Sequence, residues 1–209
     1  MTTKKRKNKV FIVSFILVFM GVCCFVYDYY KNYNVDKINE EKIELFFEET
    51  PIESKKKNDK NSNKNNKKND EYKEDYIAIL EIPKINLKRG IVDKNSYRNN
   101  VNYNIEIINP SSMPDEKNGN LILASHSGNG YNAYFRNLYL LKKDNLSYIY
   151  YNGFKYVYKV VDKYNDDKDG KIVIKRRSDA TTLTMITCNP NKKTKQIVII
   201  SELVKIEKY

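Results

Sequence analysis

The chain has 209 residues and a formal net charge of +12, which allows one domain with extensions. Two of the three cysteines, Cys23 and Cys24, lie in an apolar N-terminal run, and the remaining cysteine and the single histidine are too few ligands, without several carboxylates, for a metal site. A basic chain suggests an anionic partner such as nucleic acid, anionic lipid or a wall polymer. Lys, Asn, Ile and Tyr are all abundant, so a general bias in composition explains the charge equally well.

The N-terminus has the pattern of a membrane anchor. Residues 1–9 form a basic tail, and residues 10–27 carry no charge. As a helix, this apolar run spans about 27 Å, close to the hydrocarbon core of a bilayer. Bulky Phe25, Val26 and Tyr27 occupy the place where a signal-peptide cleavage site would need small residues. We therefore expect an uncleaved single-pass anchor in the cell membrane, with the basic tail in the cytoplasm and the remainder outside.

Residues 28–75 are expected to form an extracytoplasmic stalk. A weak helical pattern covers residues 36–49. Residues 54–75 are rich in Lys and Asn and contain almost no apolar side chain. Such a segment cannot bury enough apolar surface to fold, so we predict a disordered linker that tethers the following domain near the membrane.

Residues 76–209 have mainly the pattern of short strands. One short amphipathic helix is predicted between Tyr131 and Leu141, and Asn152 with Gly153 predicts a type I′ hairpin turn. About eight strands with one helix indicate a mainly β fold, an antiparallel or mixed barrel. The predicted strands cover residues 76–82, 85–92, 101–108, 120–125, 146–151, 154–164, 172–174, 182–187 and 196–206.

Two of these strands end at residues that form a nucleophile and base pair. Cys188 follows a buried apolar strand, and it is the only thiol outside the apolar N-terminal run. His126, the only histidine, follows another such strand. Alone, each residue is more simply a core cysteine or a loop histidine. Together, a thiol and an imidazole at two strand ends are the groups that nucleophilic cysteine chemistry requires.

Other kinds of site fit less well. Gly128-Asn129-Gly130 is not followed by the Gly-Lys-Ser/Thr of a phosphate loop. A Tyr-rich hairpin with interleaved Lys suits single-stranded nucleic acid, but the anchor would place it outside the cell, so we expect no nucleic-acid partner. Papain-like enzymes have Cys before His, the reverse of the order here. The caspase signature around the cysteine is also missing.

The C-terminal residues 76–209 resemble the sortases, membrane-anchored cysteine transpeptidases of Gram-positive bacteria. The last matching motif differs from the family's Thr-Leu-x-Thr-Cys by Met185 in place of Leu, a volume-conserving change. The motifs that carry the resemblance are ILEIPKINL at residues 79–87, NLILASH at residues 120–126, FRNL at residues 135–138 and TMITC at residues 184–188.

The resemblance implies an eight-stranded β-barrel with one or two short helices, and a reaction that needs no cofactor. The Cys188 thiolate would attack the Thr–Gly bond of a Leu-Pro-x-Thr-Gly-like sorting motif in a surface protein. His126 would protonate the leaving amine and then assist attack by a peptidoglycan precursor amine, or by a lysine of another subunit if the enzyme builds polymers. Thr187, Ser127 and Asn189 beside these two residues are expected to contact the substrate. The class of sortase stays open.

The resemblance also implies a substrate-binding arginine on the last strand, and this chain has Gln196 in that position. A glutamine donates hydrogen bonds but carries no charge. Either Gln196 performs a weaker version of the arginine's role, or a cation from Lys195, Arg176 or Arg177 replaces it, or activity is low. Two alternatives to a transpeptidase stay open, an anchored cysteine peptidase that only hydrolyses and an inactive wall-binding module.

Overall fold

The computed structural model describes residues 2–48 and 75–209, with side chains from residue 11 onward. The chain divides into two compact units, residues 1–41 and residues 42–209. Most of the predicted stalk and nearly all of its Lys/Asn-rich linker lie outside the described residues.

A single helix, α1, covers Thr2–Glu48. It contains the predicted anchor and residues 36–48 of the helix predicted at residues 36–49, without a break between them. No Pro or Gly occurs between residues 28 and 48, so nothing in the sequence ends the helix where the apolar run stops. Its apolar side chains are exposed on all sides from Phe11 to Tyr30. Among the described residues, this is the one helix long and apolar enough to cross a membrane.

Eight strands form one sheet that curls into a nearly closed barrel, as predicted. The strands are β1 Ala78–Ile82, β2 Leu87–Ile91, β3 Glu106–Ile107, β4 Asn120–Ala124, β5 Leu146–Tyr151, β6 Phe154–Asp167, β7 Thr182–Cys188 and β8 Lys195–Lys208. The order across the sheet is β2-β1-β5-β6-β8-β7-β4-β3. In the part of the chain that the structure describes, β4 and β7 form the only parallel pair.

The β5–β6 hairpin has the predicted turn. Asn152 and Gly153 have φ values of 50° and 77°, which are the two positive values that a type I′ turn requires. The turn's twist matches that of the flanking strands, and β6 then continues to Asp167, three residues beyond its predicted end. This extension pairs along its whole length with the equally long β8.

The amphipathic helix predicted between Tyr131 and Leu141 is wrong. Successive turns with bonds between residues three apart replace it, and a short 3₁₀ helix covers Leu138–Leu140. Phe135, Leu138 and Leu141 are all fully buried. Their spacing of three residues suits 3₁₀ turns, which bring every third side chain to the same side.

Two further strand predictions need correction. Of the strand predicted at residues 101–108, only Glu106–Ile107 pairs with β4. The strand predicted at residues 172–174 pairs with no other strand in the described chain. Its Ile172 and Ile174 instead pack on the outer face of the barrel wall, so their apolar character reflects contact with that face and not sheet pairing.

Both faces of the β4–β7–β8 wall are apolar. Leu183 and Met185 of β7 point into the barrel core, whereas Ile186 belongs to a second cluster on the outer face. Because side chains alternate along a strand, Cys188 shares the outer face with Ile186. The members of this outer apolar cluster are Ile122, Ala124, Ile186, Val198 and Ile200.

Candidate active site

Cys188 and His126 follow two strands, β7 and β4, that pair in parallel. Ala124 lies opposite Ile186 in this pair, and the Ser125 N–H donates to the Ile186 carbonyl at 3.3 Å beyond the end of β4. Cys188 is the last residue of β7, two residues after Ile186, and His126 follows β4 two residues after Ala124. Both residues are half-buried, so each lies at a strand end and is still open to solvent.

Thr187 links the two strand ends from inside the barrel wall. Its hydroxyl donates to the Ser125 carbonyl at 2.7 Å, and the residue is only 4% exposed. The bond joins the residue before Cys188 to the residue before His126. Thr187 therefore stabilises the arrangement of these two groups, and its expected contact with substrate stays a prediction.

The imidazole of His126 has one polar partner on another loop. Its Nε2 lies 3.4 Å from Oδ1 of Asn102, in the segment that connects β2 to β3. The His126 carbonyl accepts from the Phe135 N–H at 3.1 Å. Arg136 donates to the carbonyls of Gly128 and Gly130 at 3.0 and 3.1 Å, which ties down the loop that follows the histidine.

Gln196 is the register partner of Cys188 in the antiparallel β7–β8 pair. Its amide nitrogen donates to the Asp167 carbonyl at 3.0 Å and to the Lys171 carbonyl at 3.2 Å. The side chain is 9% exposed. Both N–H groups therefore hold the beginning of the β6–β7 connection against the strand that carries Gln196.

The candidate substitutes for an arginine are engaged elsewhere. Lys195 pairs with Asp167 at 2.6 Å. Arg176 donates to the Asn118, Arg177 and Ala180 carbonyls at 3.1–3.2 Å and lies 3.5 Å from the Thr182 hydroxyl.

Arg177 pairs with Asp179 and, at 3.7 Å, with Glu202. Thr182, the register partner of Glu202, is six residues before Cys188, a separation of about 20 Å along a strand. Of the three cations, only Lys195 is close to Cys188 along the strands.

The β6–β7 connection covers the outer apolar cluster. It packs against the cluster through Ile172 and Ile174, and the five members of the cluster are buried beneath it. Tyr164 holds this connection, because its hydroxyl donates to the Val173 carbonyl at 2.5 Å and accepts from the Lys175 N–H at 3.0 Å. The connection therefore forms part of the same outer face that carries Cys188.

Asn189 and Ser127 flank the pair. Asn189 Oδ1 accepts from the N–H groups of Asn191 and Lys192 at 2.8 and 3.1 Å, which shapes the turn after β7. Its Nδ2 donates to Asn165 at 2.6 Å. Ser127 is half-buried beside His126. Direct contact of either residue with a substrate stays a prediction.

Sequence reasoning missed Asn102, which lies in a loop rich in asparagine and 24 residues before the histidine that it faces. No motif marks one asparagine among several, so no local signal identifies it. Within the described residues, no group of three or more His, Cys, Asp or Glu side chains could hold a metal ion.

Comparison with known proteins gives one consistent family. The sequence model of a family described as Sortase domain matches residues 80–204, while no curated protein is a significant match. The fold is similar to that of a sortase D5 transpeptidase from Clostridium perfringens, with a TM-score of 0.53 and 23% identity, covering 63% of this chain and 80% of that one.

Two more solved structures have the same fold. Sortase A from Listeria monocytogenes gives a TM-score of 0.54 at 21% identity, over 64% of this chain and 90% of that one. Clostridium perfringens sortase C, solved with the C-terminal cell wall sorting motif, gives 0.54 at 22% identity, over 63% of this chain and 71% of that one.

Proposed function

The chain belongs to the sortase family, and from that premise we propose that it is a transpeptidase with Cys188 as nucleophile and His126 as general acid and base. One observation carries the proposal. The parallel pairing of β4 and β7, extended by the Ser125 N–H bond to Ile186, puts the strand ends that lead to the only histidine and to the only thiol outside α1 side by side. Nucleophile and base need this proximity for covalent catalysis.

The substrate in this proposal is a Leu-Pro-x-Thr-Gly-like sorting motif of a surface protein. Support comes from the Clostridium perfringens sortase C that was solved with a sorting motif. The motif would bind where β4 and β7 end, so that its Thr carbonyl reaches Cys188.

The reaction proceeds in two displacements. The Cys188 thiolate adds to the Thr carbonyl carbon, and the resulting oxyanion collapses as the Thr–Gly C–N bond breaks. The His126 imidazolium gives its proton to the leaving Gly amine, which leaves a thioester on Cys188. A wall amine then adds to the thioester and loses a proton to His126. The C–S bond breaks, a new amide forms and the thiolate returns.

In this scheme Gln196 holds the β6–β7 connection in place beside the nucleophile. Its two donated bonds fix the β6–β7 connection at Asp167 and Lys171. Direct donation to the oxyanion, which the arginine slot predicts for it, requires the amide to give up one of these carbonyls when substrate binds.

The anchor would place this chemistry at the outer surface of the membrane, where a peptidoglycan precursor amine is the acceptor. We propose that the N-terminus is cytoplasmic, because the basic tail precedes the apolar part of α1. Protease added to intact cells should then remove the C-terminal domain. Complete protection in cells with an accessible surface would overturn this topology.

One assay tests the function. The full-length chain in detergent micelles is incubated with a fluorescent Leu-Pro-x-Thr-Gly peptide, with and without triglycine as the amine. A product joined to triglycine supports a transpeptidase. Hydrolysis of unrelated peptides with no joined product would indicate a peptidase instead. Absence of any thioester on Cys188 would leave a wall-binding module.

A further inference from the structure

We propose that Asn102 is a positioning residue for His126. Its Oδ1, 3.4 Å from Nε2, accepts the Nε2 proton and leaves Nδ1 as the ring nitrogen that exchanges protons with the reacting amines. The inference rests on the proposed function, since it assigns the geometry of the same general acid and base. It adds a residue that no family motif in the sequence contains.

The backbone of Asn102 is held in place by two hydrogen bonds. Its N–H donates to Oδ1 of Asn100 at 2.9 Å, and its carbonyl accepts from Nδ2 of Asn132 at 3.1 Å. The carbonyl of Asn132 accepts in turn from the Ser125 hydroxyl at 3.3 Å. Ser125 immediately precedes His126, so the loop that carries Asn102 is bonded to the loop that carries the histidine.

A buried arginine also forms hydrogen bonds to both of these loops. Arg89, on β2, is 6% exposed. Its Nε donates to Asn104 at 3.2 Å and its Nη2 donates to the Tyr134 hydroxyl at 2.8 Å. The guanidinium also lies 4.2 Å from the centre of the Tyr134 ring. Asn104 is two residues after Asn102, and Tyr134 is two residues after Asn132.

Burial of this cation is costly unless it is paired. Among the described residues no carboxylate pairs with Arg89, and its side-chain partners are the amide of Asn104 and the phenol of Tyr134. Asn104 also donates to the Gly90 carbonyl at 2.9 Å. The buried guanidinium thus fixes the loop of Asn104 relative to the loop of Tyr134. A hydrogen bond between Asn102 and His126 requires these two loops to keep a fixed relative position.

The amide suits the role because its oxygen accepts in every protonation state of the ring. Neutral imidazole carries one N–H and imidazolium carries two, and the Nε2 proton is present in both once a fixed acceptor faces Nε2. The orientation of the ring therefore stays the same while Nδ1 gains and loses its proton. A bond of this kind fixes the tautomer without adding a charge beside Cys188.

Two variants of similar size distinguish the effect of the acceptor oxygen of Asn102 from the effect of the shape of its side chain. Asn102→Asp keeps an acceptor oxygen, and Asn102→Leu removes it. Asn95→Leu is the matched control, because Asn95 is an exposed residue of the same β2–β3 connection and is not part of the proposed site. The full-length proteins are labelled with ¹⁵N-histidine and studied in micelles. Since the chain has one histidine, each ring nitrogen gives a single signal, whose shift reports whether it carries a proton.

We expect Asn102→Leu to lower the share of Nε2–H tautomer and to reduce kcat by about three- to tenfold, the scale of one hydrogen bond. KM should stay within about twofold, because the proposed role of Asn102 concerns the tautomer of His126 and not binding of the peptide. Asn102→Asp should keep the Nε2–H tautomer and most of kcat, and Asn95→Leu should match the parent. An unchanged tautomer share in Asn102→Leu overturns the proposal. If the parent protein joins no amine, the proposed function fails, and the tautomer comparison alone decides this inference.

Discussion

Gln196 lies directly opposite Cys188 where β7 and β8 pair, and it donates both of its amide protons to carbonyls of the neighbouring connection. The residue expected in the arginine position thus ties the β6–β7 connection to β8. Kinetics can distinguish this structural role from stabilisation of an oxyanion.

Gln196→Ala is expected to raise KM more than it lowers kcat. Two hydrogen bonds to the connection are lost, each typically contributing about 0.5–1.5 kcal/mol, and we expect the β6–β7 connection beside Cys188 to become looser and to bind the peptide less well. Steady-state kinetics with the sorting peptide measures both parameters. Lys195→Ala is the matched control, because it removes an exposed ion pair with Asp167, which contributes little. A fall in kcat of about 100-fold at constant KM would instead identify Gln196 as an oxyanion donor.

Cys188→Ala should abolish the acyl-enzyme, because the other two cysteines, Cys23 and Cys24, lie within α1. His126→Ala should lower kcat by about 10²- to 10⁴-fold, the usual contribution of general acid–base catalysis. Intact-protein mass spectrometry after mixing with the sorting peptide detects the thioester. The double replacement of Cys23 and Cys24 by Ala serves as the control and should acylate normally. Acylation of the Cys188→Ala protein would contradict the assignment.

The barrel and the two strand ends that lead to His126 and Cys188 could be predicted because their signals are local. Apolar alternation, the Asn152–Gly153 turn and the strand ends at His126 and Cys188 all appear in short stretches of sequence. The helix predicted near Phe135 failed because apolar residues three apart fit 3₁₀ turns as well as one face of an α-helix. The strand predicted at Ile172 was wrong because this side chain packs on the outer face of the barrel wall, against residues that are far from it in sequence.

The contacts that orient the site could not be predicted, since they join residues far apart in sequence. Asn102 faces His126 from a different loop, and Arg89 donates to the hydroxyl of Tyr134, 45 residues later in the sequence. Likewise, the donation of Gln196 to two backbone carbonyls depends on the exact path of the β6–β7 connection. Such relationships follow from the folded backbone and leave no periodic pattern in the sequence.

Thr187→Val should weaken both stability and activity, whereas Thr187→Ser should weaken neither by much. Val has the same shape but lacks the hydroxyl that donates to the Ser125 carbonyl. A buried hydrogen bond of this kind contributes about 1 kcal/mol, and its loss also frees the strand ends that carry Cys188 and His126. Denaturant unfolding and kcat are measured for both variants. Equal behaviour of the Val and Ser proteins would show that the hydroxyl has no role at this position.

Tyr158→Phe is expected to stabilise the protein. Tyr158 is fully buried in the barrel core, and its hydroxyl has no hydrogen-bond partner among the described residues. A buried polar group left unpaired costs about 1–3 kcal/mol, so removing the hydroxyl at constant ring volume should raise the free energy of unfolding. The matched control is Tyr97→Phe, because that ring is largely exposed and its hydroxyl should matter little.

The gain should increase at alkaline pH. Burial, followed by the charges of Tyr156 and Asp115, raises the pKa of Tyr158 well above its ordinary value of 10.0. The unfolded state then ionises first as the pH rises through about 10, which favours unfolding, while the folded state keeps the proton. The parent should lose stability from that pH upward, and Tyr158→Phe should lose less. Urea unfolding followed by far-ultraviolet circular dichroism at pH 8 and above pH 10 measures the difference. Parallel loss in both proteins would mean that the phenol of Tyr158 is not shielded from water in the folded state.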